Sequence, residues 1–301
     1  KSNSHWWCSG FFPGVLWYLY EAKGSPKLKR YAEIYTQRVA DQQYTTDNHD
    51  VDFILMCSFG NGYRLTKTPS YVPILLNGAQ SLSTRFKPVV GLIRSWDTKT
   101  DKWRYPVIID NMMNLELLEW AAQHSDSTKF AKIASSHAKL TMKNHFRKDF
   151  SSYHVIGYDP ETGQVEKRNT HQGYAHDSAW ARGQAWGLYG YTMMFRETGD
   201  SSYLHHAKGI ARFIMLHPNM PKDKVPYWDF NAPDIPHAKR DASAAAIMAS
   251  AFIELSTLTK EDPDFSKQCL NMAEMQLRSL TSDEYLAKKG TNRGFILMHS
   301  V

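Results

Sequence analysis

The sequence is poor in cysteine and contains no long apolar run. Its 301 residues include three cysteines, Cys8, Cys57 and Cys269, which lie far apart and form no C-x-x-C pair. Neither a zinc site nor a disulfide framework is therefore predicted, and we interpret the cysteines as buried filler residues. Charged residues or prolines interrupt every apolar stretch before it reaches the roughly 20 residues of a membrane-spanning helix. The sequence thus predicts a soluble protein.

Long blocks of one charge are also absent. The net charge is +6, but Lys and Arg are scattered along the chain, so we do not expect a nucleic-acid partner. The chain begins at Lys1 with neither an initiator Met nor an apolar signal segment, and we expect the true N-terminus to lie upstream. Apolar residues make up 42% of the sequence, which is enough for a large core in a globular chain.

Helical hairpins are the main organisation that the sequence predicts. Several segments share one pattern, in which a short turn with small or acidic residues joins two helices with small apolar residues at helical spacing. These segments are residues 19–39, 118–142, 193–215 and 253–277, and a more divergent unit spans residues 50–86. Asp200 and Asp262 stand where a side chain can cap the second helix of a hairpin.

Repeated hairpins must stack to bury their apolar faces, either as an open solenoid or as a closed toroid. The irregular spacing favours the toroid, so we predict an all-α fold, an α/α barrel, with one catalytic domain over residues 1–301. The long aromatic and polar connections between hairpins are typical of functional loops. In one of them, residues 92–96 and 105–110 predict the two strands of a small β-hairpin at the rim of the barrel.

Seven motifs follow one another along nearly the whole chain. They are WWCSGFFPGVLW at 6–17, NHDVDF at 48–53, RFKPVVGLIRSWD at 85–97, VIIDNMMNLELL at 107–118, YHVIGYDPETG at 153–163, THQGY at 170–174 and WARGQAWGLYGY at 180–191. In this order they resemble the motifs of unsaturated glucuronyl hydrolases, glycoside hydrolase family 88. The resemblance implies an (α/α)6 barrel that releases the 4,5-unsaturated uronic acid left by polysaccharide lyases, by hydration of its C4=C5 enol ether. It also implies a bacterial, periplasmic enzyme, with the cytoplasm as the alternative location.

Two aspartates are the candidate catalytic residues. Asp110 follows a strand-like run and Asp50 precedes a helix, and on sequence alone both can equally be helix caps. By resemblance, Asp110 matches the general acid and base that protonates C4 and helps to activate water. Asp50 matches the second essential carboxylate, which would hold ring hydroxyls and tune Asp110. If both face one pocket, their repulsion would raise the pKa of one of them.

The resemblance also implies a set of substrate-binding residues. An indole can stack on the flattened face of an unsaturated sugar, and Arg, His or Gln can donate to its carboxylate. The candidates are Trp7, Trp96, His154, His171, Gln172, Arg182 and Trp186. On sequence alone, a Trp or His at such positions more often belongs to the core. Arg182 and Trp186 are four residues apart and share one face of a predicted helix.

Lys87 departs from the family pattern, in which Asn often follows Arg-Phe. A cation there can favour a carboxylate or sulfate on the substrate, or it can point to solvent. Together with the basic balance of the chain, it favours disaccharides derived from chondroitin, hyaluronan or heparin-type chains. We expect no cofactor and no metal, because the spacing of His176, Asp177 and the His205–His206 pair supplies no third ligand.

Other interpretations stay open at this stage. The barrel could belong to an unsaturated rhamnogalacturonyl hydrolase or a polysaccharide lyase, or to a non-catalytic carbohydrate-binding toroid. A binding protein needs the tryptophans but can lose either aspartate, so the presence of Asp50 and Asp110 within full motifs favours the enzyme. We expect a monomer or a weak dimer, and a twelve-helix ring that is incomplete at both ends of these 301 residues.

Overall fold

Helices dominate the computed structural model, which describes residues 3–97 and 102–301. In chain order the helices are α1 (Phe11–Lys23), α2 (Pro26–Gln37), α3 (Val51–Leu55), α4 (Asn61–Thr66), α5 (Tyr71–Ser83), α6 (Leu115–Gln123), α7 (Lys129–Asn144), α8 (Ala181–Thr198), α9 (Ser201–Leu216), α10 (Ala242–Leu258) and α11 (Pro263–Leu280). A π-helical turn, Met56–Gly60, joins α3 to α4, and 3₁₀ turns span Ala40–Tyr44 and Ile109–Asn114. Within these described ranges, no helix is both long enough and apolar enough to span a membrane.

The helices form the hairpins that the repeats predict. Helix α1 packs against α2, α8 against α9, and α10 against both α11 and α8. The two predicted caps are confirmed, because Asp200 accepts a hydrogen bond from the Ser202 N–H at 2.9 Å and Asp262 accepts one from the Phe265 N–H at 3.3 Å. Helix α8 ends at Gly199, whose φ of 70° is the left-handed conformation that glycine adopts without strain.

The chain forms two compact units. Unit 1 comprises Lys1–Val107, Met113–Leu140 and Gly157–Gln164, and unit 2 comprises Ile108–Met112, Thr141–Ile156 and Val165–Val301. Each unit has its own large buried side chains. They are Trp17, Phe59, Leu75 and Leu82 in unit 1, and Tyr191, Tyr203, Phe230 and Phe252 in unit 2. In unit 1 the Trp17 indole N–H donates to Thr36 Oγ1 at 2.9 Å, so the one polar atom of the largest core side chain is satisfied.

β-strands are present where the sequence predicts them, but they do not pair with each other as predicted. Strand β1 (Phe86–Lys87) pairs antiparallel with β2 (Leu92–Ile93), and β3 (Tyr105–Ile108), β4 (Val155–Tyr158) and β5 (Val165–Asn169) form a sheet in the order β3-β4-β5. One backbone hydrogen bond, from Ser95 N–H to Pro106 O at 2.8 Å, links the two segments expected to pair with each other. The tight turn at Gly91, with φ 74°, folds β2 back onto β1 instead.

Candidate active site

Asp110 lies in the first turn of the 3₁₀ segment Ile109–Asn114, directly after the buried strand β3. The N-cap position of α6 is occupied by Asn114, so Asp110 does not cap this helix. The N–H of Ile109 donates to the carbonyl of His154 at 3.1 Å, which fixes the start of the turn. The Asp110 side chain is 13% exposed. Its carboxylate is therefore largely shielded from water within unit 2.

His154 lies beside this carboxylate. Its Nε2 is 3.8 Å from Asp110 Oδ2, and its Nδ1 accepts the N–H groups of His171 at 3.1 Å and Gln172 at 3.0 Å. The imidazole stacks on Trp180 with a centroid distance of 4.4 Å. Burial, with smaller contributions in the same direction from the charges of His171 and Arg182, lowers the pKa of His154 to about 3. The ring is therefore neutral at ordinary pH.

Arg182 lies on the first turn of α8, and both terminal nitrogens of its guanidinium make hydrogen bonds. Its Nη1 lies 2.7 Å from Asp241 Oδ2 and 3.2 Å from Ser243 Oγ, and its Nη2 donates to Gln172 Oε1 at 3.0 Å. The guanidinium also stacks over Trp180 at 4.8 Å from the ring centroid. Unit 2 thus brings together five of the predicted site residues. They are Asp110, His154, His171, Gln172 and Arg182.

Trp186 is placed differently from the residues just described. It lies one turn after Arg182 on α8 and is buried. This burial agrees with the alternative reading of Trp186 as a core residue. Trp180, which is not among the residues predicted from the sequence, contacts both His154 and Arg182 instead.

Two buried aspartates in unit 2 were also missed. Asp229 Oδ2 accepts the Tyr174 N–H at 2.9 Å and the Ser178 hydroxyl at 2.7 Å, which shapes the loop that carries His171 and Gln172. Asp241 pairs with Arg182 and caps α10 through the Ala244 N–H at 3.0 Å. The position of Asp241 before an alanine-rich helix is a cap signal that the sequence offered. No comparable signal marks Asp229.

Asp50 belongs to unit 1, where it precedes α3 without a side-chain cap hydrogen bond. Its N–H is held by Asn48 Oδ1 at 2.9 Å, and its carboxylate lies 3.5 Å from His49 Nε2. Burial raises the pKa of Asp50, whereas the charges of His49, Arg85 and His5 oppose the rise. The first cause of the raised pKa is therefore desolvation, which is a different cause from the carboxylate repulsion considered from the sequence.

The two predicted tryptophans of unit 1, Trp7 and Trp96, have different neighbours. Trp7 makes edge contacts with Phe11 and Phe53, at centroid distances of 5.5 and 5.6 Å. Trp96 forms an antiparallel bridge with Asn48, two residues before Asp50.

Lys87 lies at the surface of unit 1. Its Nζ is 3.1 Å from Glu161 Oε1, and the two side chains are 40% and 76% exposed. Of the two readings of Lys87, the structure favours the one in which it points to solvent.

Histidines and acidic residues elsewhere form no cluster of three that could hold a metal, as far as the described residues go. His206 is one of these histidines. It is buried against the rings of Phe146 and Tyr191, and this burial lowers its pKa to about 4. His206 is thus a packing residue of unit 2.

Comparison with known proteins adds independent information. No family model matches the chain. Over 301 residues, all of this chain and 74% of the relative, it is 46% identical to an unsaturated glucuronyl hydrolase of Formosa agariphila. It is 34% identical over 300 residues, 98% of this chain and 74% of the relative, to an unsaturated chondroitin disaccharide hydrolase of Streptococcus pyogenes. A crystal structure of an unsaturated glucuronyl hydrolase specific for heparin superposes with a TM-score of 0.95 at 51% identity, covering 100% of this chain and 79% of that chain.

Proposed function

The chain belongs to the unsaturated glucuronyl hydrolase family, and from this premise we propose that it releases the unsaturated uronic acid from lyase-generated glycosaminoglycan disaccharides. The family, the α/α-barrel fold class and the glycosidase activity are those that the motifs predict. The observation that carries the proposal for this chain lies in unit 2. There a shielded carboxylate, Asp110, lies beside a buried neutral imidazole, in the same unit as an oriented guanidinium.

In the proposed reaction, Asp110 begins protonated and delivers its proton to C4 of the C4=C5 bond. Positive character then develops at C5 and is shared with the ring oxygen. Water adds to C5 and returns a proton to the Asp110 carboxylate, which regenerates the catalyst. The hemiketal opens to a 5-keto sugar with a hemiacetal at C1, and collapse of this hemiacetal expels the aglycone. One water is consumed, and no protein nucleophile attacks the anomeric carbon, so the paired-carboxylate scheme of ordinary glycosidases does not apply.

We further propose that Arg182 and Gln172 recognise the substrate as oriented hydrogen-bond donors. The charge of Arg182 is already paired with the buried carboxylate of Asp241 at 2.7 Å. A substrate carboxylate therefore meets a guanidinium that is fixed in direction but partly neutralised. Such a group selects for geometry more than for net negative charge.

Among glycosaminoglycan disaccharides, we propose a preference for heparin-type substrates. The heparin-specific neighbour shares 51% of its residues with this chain, and the chondroitin disaccharide hydrolase shares 34%. A panel of unsaturated disaccharides from heparin, chondroitin and hyaluronan, sulfated and unsulfated, tests the preference through loss of the ultraviolet absorbance of the conjugated double bond. Binding without any loss of absorbance would support a carbohydrate-binding protein instead. Turnover of unsaturated rhamnogalacturonan products alone would support an unsaturated rhamnogalacturonyl hydrolase.

The remaining expectations concern assembly and location. A monomer or weak dimer, and a bacterial periplasmic location with the cytoplasm as the alternative, stay predictions. Sedimentation of the purified chain and fractionation of the source cells test them.

A further inference from the structure

The turn at residues 171–172 determines which nitrogen of His154 carries the proton. His154 Nδ1 faces two backbone donors, the N–H groups of His171 at 3.1 Å and Gln172 at 3.0 Å. A ring nitrogen that accepts hydrogen bonds carries no proton, so the proton of the neutral ring must be on Nε2. This is the nitrogen that lies 3.8 Å from Asp110 Oδ2.

The surroundings of His154 also oppose a second proton. The side chain is fully buried and stacked on Trp180. Among the titratable groups around it, His171, Arg182 and His145 disfavour a positive ring, whereas the nearby carboxylate of Asp110 favours one. A proton on Nδ1 would also face the two backbone N–H groups, and neither of them can accept a hydrogen bond.

We propose that the 171–172 turn holds His154 as a neutral Nε2–H donor, and that His154 is thereby the positioning residue of Asp110. The inference rests on the proposed function for its second half, the role of Asp110 as the acid. An imidazolium at this distance would stabilise ionised Asp110 and remove the proton that C4 requires. A neutral N–H interacts weakly with the protonated acid. It becomes a charge-assisted donor as the proton leaves, when the 3.8 Å separation can close to a hydrogen bond.

Two substitutions distinguish the role of His154 as a donor to Asp110 from its role as an acceptor for the backbone N–H groups of the 171–172 turn. In His154→Asn the amide oxygen can take the place of Nδ1 and accept the two backbone N–H groups, but no donor reaches Asp110. In His154→Gln the amide nitrogen comes close to the place of Nε2, so the donor is retained. We expect His154→Asn to fold with a melting temperature close to wild type and to lose about 10- to 100-fold in kcat, the loss expected for one hydrogen bond to a charged group.

The pH profile supplies the readout that a structural role would not change. Without the donor the carboxylate of Asp110 is less stable, so the pKa of Asp110 rises in His154→Asn. The fall of kcat at high pH should therefore move to a higher pH, by about one pH unit. His154→Gln should restore part of kcat and return the limb toward its wild-type position. Equal losses in the two variants with an unmoved limb would overturn the positioning role.

The protonation state itself can be tested without any substrate. In long-range ¹H–¹⁵N spectra of histidine-labelled protein, with His154 assigned from the His154→Asn spectrum, we expect the Nε2–H tautomer and no titration between about pH 5 and 9. An Nδ1–H tautomer, or an imidazolium near neutral pH, would refute the inference whatever the activity. Conversely, wild-type protein that turns over no unsaturated disaccharide would refute the proposed function and leave the tautomer assignment standing.

Discussion

The pair formed by Arg182 and Asp241 allows a stability prediction with a magnitude. Asp241 is fully buried, and its Oδ2 lies 2.7 Å from Arg182 Nη1, whose side chain is 14% exposed. Its Oδ1 caps α10 through the Ala244 N–H at 3.0 Å. Asp241→Ala removes a cap worth about 1 kcal/mol and a hydrogen bond between charged groups worth about 1.5 to 3 kcal/mol. We therefore expect the free energy of unfolding to fall by about 2.5 to 4 kcal/mol, which overlaps the range for a broken buried pair.

Urea unfolding measures this loss as a lower midpoint at an unchanged slope. Asp241→Asn is the matched control, because Asn caps a helix about as well as Asp and should recover about 1 kcal/mol of the loss. A double-mutant cycle with Arg182→Met then isolates the energy of the pair. A loss below about 1 kcal/mol for Asp241→Ala, or no coupling to Arg182, would show that solvent replaces the carboxylate and that Asp241 does not hold the guanidinium.

Three further predictions follow from single contacts. In Gly10→Ala the new Cβ would clash with the backbone oxygen of Ile54, so we expect the free energy of unfolding in urea to fall by about 2 to 3 kcal/mol. A fall of less than about 1 kcal/mol would contradict this close approach. His206 has a folded-state pKa lowered from 6.5 to about 4, so the unfolded chain gains a proton first as the pH falls below 6.5. Wild type should then lose about 2 kcal/mol more than His206→Phe between pH 7 and 5, and equal losses would refute the prediction. Because Lys87 is paired with Glu161 at the surface, Lys87→Asn should leave the preference between sulfated and unsulfated disaccharides unchanged, and a changed preference would place Lys87 at the substrate.

Local signals in the sequence predicted the helices well. The hairpins α1–α2, α8–α9 and α10–α11 and the caps Asp200 and Asp262 depend on periodicity and on groups within one turn. Interactions between distant segments were not predictable in this way. Asp241 and Arg182 are 59 residues apart, and Asp229 shapes a loop more than 50 residues before it. Residue types and their local spacing do not predict contacts between residues so far apart in the chain.

The immediate surroundings of the predicted site residues show the same limit. Motif order placed Asp110, His154, Gln172 and Arg182 among the candidates, and the structure brings these four together in unit 2. The motifs did not indicate that Asp110 lies in a 3₁₀ turn, with α6 capped elsewhere, because six residues in such a turn have the same pattern as a helix start. The predicted pairing of residues 105–110 with residues 92–96 was wrong, because a short strand can pair with any exposed edge, and β3 pairs with β4 instead.

Asp110→Asn separates the proposed hydration chemistry from an ordinary structural role for this residue. Since α6 has its own N-cap at Asn114, and Asn has nearly the volume of Asp, we expect the melting temperature and the affinity for an unsaturated disaccharide to stay close to wild type. The amide cannot deliver a proton, so turnover should fall by at least about 100-fold, as when a general acid is lost. Neither protein should cleave the saturated analogue, because that sugar has no C4=C5 bond to protonate. In deuterated water the wild-type product should carry deuterium at C4, since solvent supplies that proton through the Asp110 carboxyl group. Full activity of Asp110→Asn would remove Asp110 from the chemistry, whereas a product without deuterium at C4 would refute hydration itself.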